Sequence, residues 1–193
     1  METICVYCGS ADNLPEPYVE GARELGAALA RRGLRLVYGA GRTGLMGAVA
    51  DAVLEHGGEV FGVIPRMFYT PALAHPGLTS LEITPDMHTR KARMAEIADA
   101  FIALPGGFGT LEEFFEILTW AQIGLHRKPI GLLNVNGYYT PMLSMVERAR
   151  TDGFIYDEHR ALFRCETHPE ALLDALTAYT PPAGLERWVE RED

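Results

Sequence analysis

The fold follows from one stretch of the chain, residues 100–113, which reads AFIALPGGFGTLEE. Its first residues form a short apolar run, which predicts a strand buried on both faces of a parallel sheet. A proline and a cluster of glycines then turn the chain, and a strongly helical run extends from Leu111 to Gln122. A buried strand, a glycine turn and a helix in this order are typical of a parallel α/β protein.

The same alternation extends along most of the chain. Strands are predicted at residues 4–8, 34–38, 60–64, 81–83, 100–104, 130–133 and 161–165. Helices are predicted at residues 18–32, 45–56, 87–97, 111–122, 141–150 and 169–178. We therefore predict an α/β fold in which helices flank a doubly wound parallel sheet. Residues 1–180 are predicted to form a single domain, followed by a charged and frayed tail at residues 181–193.

The charge of the chain excludes some classes of partner. The formal net charge is −9 at pH 7, so the protein as a whole repels the phosphates of nucleic acid, and we expect no nucleic-acid partner. No apolar run has the length of a membrane helix, and no signal peptide precedes the first strand, so we expect no membrane partner. Three cysteines do not make a disulfide framework, and we expect a cytoplasmic protein.

The glycine turn at residues 105–110 is the strongest functional signal. Glycine lets the backbone approach a ligand closely, and the turn leads into a helix whose free N–H groups attract anions. It is not a Walker loop, because no glycine is followed by lysine anywhere in the chain. A plain turn with Thr110 as the helix N-cap is the alternative. We favour a phosphate site, with binding candidates Gly106, Gly107, Phe108, Gly109 and Thr110.

Charged residues stand next to this turn in the sequence. Glu112 and Glu113 begin the predicted helix, and because neighbouring helical residues point about 100° apart, only one of them can face a given ligand atom. A carboxylate near a phosphate needs cations beside it. Arg90 and Lys91 can supply them, since their helix leads into the strand that carries the glycine turn. The alternatives are stabilisation of the helix dipole and a solvated helix face.

A second glycine motif, GAGRTG at residues 39–44, has the spacing of a dinucleotide fingerprint. It follows the second predicted strand instead of the first. The acidic residue about 20 positions on, Glu59, begins the next strand, whereas a ribose ligand would need it at that strand's end. A tight turn that shapes a nucleotide pocket is therefore favoured over NAD binding. The turns that follow Cys8, Tyr38 and Leu104 should share one rim of the sheet.

The sequence predicts no metal site. Cys5 and Cys8 have C-x-x-C spacing, but on a strand residues three apart point to opposite faces, so they cannot hold one ion or form a disulfide. The six histidines include no H-E-x-x-H pattern. Both cysteines are interpreted as small buried residues.

The motifs together resemble one family. The chain carries P-G-G-x-G-T-x-x-E at residues 105–113 and M-H-x-R-K at residues 87–91, in an arrangement similar to the LOG family of cytokinin riboside 5′-monophosphate phosphoribohydrolases. The resemblance runs from about residue 3 to residue 178. It implies a Rossmann-like fold, a homodimer, no cofactor, and hydrolysis of the base–ribose bond of a nucleoside 5′-monophosphate.

The resemblance also implies roles for particular residues. Arg90 and Glu113 would form the catalytic pair. The substrate site would include the glycine turn, Glu112 and, outside it, Lys91, Thr119, Gly9, Ser10, Gly41, Gly44 and Met46. One position departs from the family pattern, because Ala72 stands where members often have a glutamate in E-x-A-H. Recognition of the base or the ribose therefore stays open.

There are three alternative functions. The first is a broader AMP or purine-nucleotide nucleosidase, which the departure at Ala72 keeps open. The second is a nucleotide-binding or carrier protein without catalysis, against which the presence of both Arg90 and Glu113 argues. The third is a lysine decarboxylase, which is disfavoured because only Lys91 and Lys128 could form a Schiff base with pyridoxal and neither lies in a supporting motif.

The helix predicted at residues 111–122 also suggests association. Its apolar residues surround most of the helix and exceed what one packing face requires: Leu111, Phe114, Phe115, Ile117, Leu118, Trp120 and Ala121. Such a helix is buried in a core or between subunits. We therefore predict a homodimer.

Overall fold

A computed structural model describes residues 1–185 as one parallel sheet of seven strands with helices on both faces. The strands are β1 (Thr3–Tyr7), β2 (Arg35–Tyr38), β3 (Val60–Pro65), β4 (Ser80–Thr84), β5 (Ala100–Ala103), β6 (Ile130–Leu133) and β7 (Phe163–Glu166). Their order in the sheet is β4-β3-β2-β1-β5-β6-β7. The prediction of an α/β doubly wound sheet is confirmed.

Within residues 1–185, six α-helices connect or follow the strands. They are α1 (Glu16–Arg31), α2 (Gly44–Glu55), α3 (Met87–Ile97), α4 (Phe108–Gln122), α5 (Thr140–Thr151) and α6 (Pro169–Thr177). One buried apolar cluster joins α1, α2 and α6 to one face of the sheet, and a second joins α3, α4 and α5 to the other. Every strand of the sheet's centre is therefore covered on both sides, as its continuous apolar sequence predicts.

Cys5 in β1 and Cys8, directly after it, show how this segment divides its side chains between the two faces of the sheet. Cys5 is buried in the cluster beneath α3 and α4, whereas Cys8 is buried in the cluster beneath α1 and α2. The prediction that they face opposite sides of the sheet is confirmed. Both thiols are free, as is that of Cys165, and burial raises the pKa of Cys5 and of Cys8 far above the usual range.

The strand order reverses between β1 and β5. β1 pairs with β2 on one side, Ile4 beside Leu36, and with β5 on the other, Cys5 beside Phe101. The chain leaves β1 toward α1 on one face of the sheet and leaves β5 toward α4 on the opposite face. A crevice opens between the two departing turns at the carboxyl edge, the usual place for a ligand in such sheets.

Two predicted element boundaries need correction. Helix α4 begins at Phe108 instead of Leu111, and because Gly107 is its N-cap, the alternative in which Thr110 caps the helix is wrong. The last strand begins at Phe163, because a 3-10 helix occupies Asp157–Leu162. Most of the predicted tail at residues 181–193 lies outside the described residues, although Leu185 is buried against the cluster beneath α4. Among residues 1–185, no helix is both long enough and apolar enough to cross a membrane.

Helices α1 and α2 approach each other closely at Gly26. A Cβ atom at Gly26 would lie 2.5 Å from the carbonyl oxygen of Val49 and 2.8 Å from the Cβ of Ala52. Both distances are shorter than van der Waals contact, so only glycine allows the two helices to pack at this separation.

We expect Gly26→Ala to lower the free energy of unfolding by about 1–3 kcal/mol, because overlap in the helix contact outweighs the helix propensity gained. Gly109→Ala is the matched control, since Gly109 lies in α4 with open space around its Cβ position. It should leave stability unchanged or raise it by up to about 1 kcal/mol. Urea unfolding measures both variants, and equal stability of the two would contradict the close contact.

Candidate functional site

A cleft of about 970 Å³ opens at the carboxyl edge of the sheet, above the point where the strand order reverses. Its walls come from the turns that follow β1, β2 and β5, which the sequence placed on one rim. The floor and sides include Gly9, Gly41, Gly106, Arg90 and Glu113. A cleft of this size accommodates a nucleotide.

The three turns are hydrogen-bonded to one another. Gly9 donates its N–H to the carbonyl of Pro105 at 3.0 Å, and its own carbonyl accepts from the N–H of Leu45 at 2.9 Å. The Thr43 hydroxyl donates to the carbonyl of Ser10 at 2.7 Å. These bonds connect β1, β2 and β5 at their carboxyl ends, so the rim forms one rigid unit.

The glycine turn at residues 105–110 brings the start of α4 to the cleft. Gly107 is the N-cap, and the next three residues form the first turn of the helix, where backbone N–H groups have no partner within the helix. Gly106, Gly107, Phe108, Gly109 and Thr110 all line the cleft. The positive end of the helix dipole therefore meets the cleft, an arrangement that favours an anion.

Arg90 and Glu113 form an ion pair inside the cleft. Nη1 of Arg90 lies 3.0 Å from Oε1 of Glu113, and each side chain is only 11% exposed. Nε of Arg90 also donates to the carbonyl of Val63 at 3.3 Å, which holds the guanidinium against β3. The pair is thus shielded from water and joins α3 to α4 at the cleft wall.

Burial governs the protonation of Glu113. Desolvation raises the pKa of its carboxyl group above the usual value, and the positive charge of Arg90 opposes that shift without cancelling it. Arg90 therefore favours the ionised form, as the sequence suggested, yet the carboxylate holds a proton more tightly than an exposed glutamate. A carboxyl group with a raised pKa can exchange a proton with a substrate at a pH closer to neutral.

Gly39 makes room for the arginine. A Cβ atom at Gly39 would overlap Nη2 of Arg90, so any side chain at this position would displace the guanidinium from Glu113. The first glycine of the GAGRTG motif therefore accommodates a protein side chain. This gives the motif a physical role that needs no dinucleotide.

Lys91 and Glu112 lie outside the residues that line the cleft. Nζ of Lys91 is 2.5 Å from Oε1 of Glu112 and 2.9 Å from Oε1 of Glu116. Burial lowers the pKa of Lys91, but hydrogen bonds with the two carboxylates outweigh it, and the net shift is upward. Lys91 thus stays protonated and joins α3 to the outer face of α4.

Thr119 and Gly44 also lie outside the set of cleft residues. Thr119 is exposed near the far end of α4, and its hydroxyl donates to the carbonyl of Phe115. Gly44 has a positive φ of 58°, and a Cβ there would lie 2.5 Å from the carbonyl oxygen of Ala11. Its place is therefore in the packing of α2 against the turn after β1.

The cleft brings together the other sequence candidates and adds several residues. Besides Arg90, Glu113, the glycine turn and Gly9, the predicted residues at the cleft are Ser10, Gly41 and Met46. Ala72, the departure from the family pattern, also lines it. Several lining residues were not predicted from the sequence: Asp12, Leu14, Tyr18, Phe68, Leu73, Met87 and Tyr138. Most of these come from irregular segments, whose path no periodic pattern predicts.

Within residues 1–185, no three His, Cys, Asp or Glu side chains are grouped so as to hold a metal ion. Among the described residues that line the cleft, Arg90 is the one Lys or Arg, and Asp12 and Glu113 are the acids. A bound anion would therefore rely on backbone N–H groups as well as on Arg90.

A comparison with protein-family models identifies the family. The model described as "Possible lysine decarboxylase" matches residues 46–176, which include both the Arg90 motif and the glycine turn. The chain belongs to this family. The resemblance seen in the sequence is confirmed.

Three curated relatives of this chain carry the same enzyme name, cytokinin riboside 5′-monophosphate phosphoribohydrolase. The cytokinin riboside 5′-monophosphate phosphoribohydrolase of Rhodococcoides fascians is 55% identical over 155 residues, which are 80% of this chain and 78% of the relative. That of Oryza sativa subsp. japonica is 47% identical over 178 residues, 92% and 74% of the two chains. One from Arabidopsis thaliana is 46% identical over 181 residues, 94% and 79%.

Solved structures show the same fold at low sequence identity. A molybdenum cofactor binding protein from Rippkaea orientalis superposes with a TM-score of 0.70 at 20% identity, covering 92% of this chain and 96% of the other. A Moco carrier protein from Chlamydomonas reinhardtii gives 0.68 at 20% identity, covering 91% and 95%. At this identity the likeness concerns the fold, and it confirms the Rossmann-like architecture.

The electrostatic coupling inside the pair is testable by titration. We expect Arg90→Gln to raise the pKa of Glu113 further, because the positive charge that opposes desolvation is lost. NMR of protein with ¹³C-labelled glutamate measures this pKa directly. Arg93→Gln is the matched control on the same helix, where Arg93 pairs with Glu82 and Glu96 instead. An unchanged Glu113 pKa in Arg90→Gln would contradict the coupling.

Proposed function

We propose that the protein hydrolyses the N-glycosidic bond of nucleoside 5′-monophosphates of the cytokinin type, releasing the free base and ribose 5-phosphate. The observation that carries the proposal is the buried Arg90–Glu113 pair in one cleft with the glycine turn at the start of α4. The names of relatives 46–55% identical to most of this chain support the same reaction.

The phosphate group fits the start of α4. Free N–H groups of the first helical turn and the helix dipole stabilise an anion without a lysine. Gly107 and Gly109 leave open space at their Cβ positions, so a ligand can approach the backbone there. Binding at the phosphate provides interaction energy remote from the bond that breaks, and this energy holds the substrate in place for reaction.

The reaction then needs a base and charge stabilisation at the ribose. Breaking the bond between C1′ and the base sends its electron pair to the base nitrogen and leaves positive charge on the ribose. The ionised Glu113 can stabilise that charge and accept a proton from the water that attacks C1′. Arg90 holds Glu113 in place through their hydrogen bond and favours its ionised form.

A broader purine-nucleotide nucleosidase is the second candidate. Ala72 lies on the cleft wall beside Leu73 and offers no polar group where the family often has a glutamate. A site without that carboxylate has one fewer contact with which to select a modified base. Release of base from AMP and from isopentenyladenosine monophosphate, compared by kcat/KM, separates the two candidates.

A lysine decarboxylase and a carrier without catalysis fit the site less well. Lys91 is held by two carboxylates outside the cleft, and Nζ of Lys128 donates to the carbonyls of Ala95 and Glu96. Neither lysine reaches the cleft, so the decarboxylase function implied by the family label has no amine there. A carrier without catalysis would not require a buried Glu113 beside Arg90.

We expect Glu113→Gln to lower kcat for base release by more than tenfold while nucleotide affinity stays within about tenfold, since the change removes charge but keeps shape. Glu112→Gln is the matched control, because Glu112 is the neighbouring residue and pairs with Lys91 outside the cleft. This variant should retain most of the wild-type activity. Chromatographic assay of released base gives the rates, and calorimetry gives the affinities. A Glu113→Gln enzyme with more than a tenth of wild-type kcat would exclude this role.

We propose further that the protein is a homodimer associating through α4. Phe114, Ile117 and Ala121 of this helix are buried in the core. The remaining apolar residues are only half-buried: Leu111, Phe115, Leu118 and Trp120. An apolar face beside the cleft suits a subunit contact, and a partner there can supply groups that the cleft of one chain lacks.

Sedimentation equilibrium should give about twice the 21.3 kDa chain mass at micromolar concentration. Thr119→Arg puts a charge on the exposed face of α4 and should shift the protein toward monomer. Thr151→Arg is the matched control, because Thr151 is also an exposed helical threonine whose hydroxyl bonds the carbonyl four residues earlier. Dissociation by Thr151→Arg alone, or a fully active wild-type monomer, would contradict an α4 interface.

We also propose that the protein is located in the cytoplasm. The free thiols of Cys5, Cys8 and Cys165 suit the reducing environment of the cytoplasm. Cell fractionation with an antibody against the protein tests this placement directly.

A further inference from the structure

Two consecutive tyrosines donate hydrogen bonds to the backbone at the end of β5 and in the glycine turn. The Tyr138 hydroxyl donates to the carbonyl of Gly106 at 2.6 Å, and the Tyr139 hydroxyl donates to the carbonyl of Leu104 at 2.6 Å. The carbonyl between them, that of Pro105, accepts the N–H of Gly9. The three successive carbonyls of residues 104–106 therefore each accept a hydrogen bond from another segment.

The tyrosines are themselves held in place. The backbone N–H of Tyr139 donates to Oδ1 of Asn134 at 2.7 Å, and the chain between them turns through Asn136 at a positive φ of 50°. The Tyr138 ring packs edge-on against Tyr18 of α1 and against Tyr139, with centroids 5.9 and 5.1 Å apart. Tyr139 is 1% exposed, whereas Tyr138 is 38% exposed and lines the cleft.

The hydrogen bonds of Tyr138 and Tyr139 differ in whether they orient a backbone N–H group. In a trans peptide the C=O and the following N–H point in opposite directions across one plane. Holding the Gly106 carbonyl thus sets the direction of the Gly107 N–H at the N-cap of α4, a donor that has no hydrogen-bond partner among residues 1–185. Holding the Leu104 carbonyl orients no donor, because the next residue is Pro105, which has no N–H.

We propose that Tyr138 is a positioning residue for the substrate phosphate, acting through the peptide between Gly106 and Gly107, while Tyr139 only anchors the end of β5. The inference rests on the proposed function in that the phosphate is taken to bind at the start of α4. Glycine on both sides of this peptide lets it rotate easily, and the Tyr138 bond fixes one orientation before a ligand arrives.

The test compares Tyr138→Phe with Tyr139→Phe, two changes that each remove one hydroxyl at the same bond length. Calorimetry measures the affinity for ribose 5-phosphate and for inorganic phosphate, with adenosine as the ligand that lacks a phosphate. We expect Tyr138→Phe to weaken both phosphate ligands about tenfold, the size of one lost hydrogen bond, with adenosine changed less than about twofold. Steady-state KM for the nucleotide should rise by the same factor with little change in kcat.

Tyr139→Phe should lower the thermal midpoint, since its bond is buried, and leave phosphate affinity within about twofold of wild type. A direct readout is the ¹⁵N–¹H resonance of Gly107 in the free protein, which should shift in Tyr138→Phe and stay in place in Tyr139→Phe. Equal phosphate losses in the two variants would overturn the proposal. So would an affinity loss in Tyr138→Phe without movement of the Gly107 resonance, which would indicate direct contact between the hydroxyl and phosphate.

The binding measurements do not depend on turnover. A wild-type protein that binds ribose 5-phosphate but releases no base would contradict the proposed reaction and leave the role of Tyr138 testable. A wild-type protein that binds neither ribose 5-phosphate nor inorganic phosphate would overturn the role of Tyr138.

Discussion

The reversal of strand order between β1 and β5 is the constraint on which the rest of the structure depends. Because neighbouring strands at this point send their following helices to opposite faces, no helix covers the space between the two turns. The cleft lies there, and the hydrogen bond from Gly9 to Pro105 joins its two sides. The start of α4 reaches the cleft for the same reason, since its glycine turn directly follows β5.

The charges around the cleft are sorted by helix geometry. Helices α3 and α4 each carry two neighbouring charged residues, and side chains one position apart on a helix diverge by about 100°. Arg90 therefore meets Glu113 in the cleft, while Lys91 meets Glu112 on the outside. Arg90 and Glu113, the inner pair, are largely buried, and the pKa of Glu113 is raised. Glu112 of the outer pair, in contrast, is 56% exposed. The inner pair therefore has the buried environment and the shifted carboxyl pKa that suit acid–base chemistry.

Local sequence was sufficient for most of the architecture. Continuous apolar runs identified the buried strands, and the helix at Met87–Ile97 was predicted to the residue. The start of α4 was misplaced because glycines usually end a helix, whereas here Gly107 caps it and Gly109 lies in its first turn. The 3-10 helix at Asp157–Leu162 was also missed, since six residues with few apolar positions carry no clear period.

For the site, the sequence by itself determined the glycine turn, the nearby charges and their order along the chain, because these depend on local chemistry. Only the tertiary structure decided which charges face the cleft, that Gly39 makes room for Arg90, and that Tyr138 reaches Gly106. Each of these contacts joins segments more than 20 residues apart. Their geometry is set by how strands and helices pack, and periodicity within a single element contains no information about it.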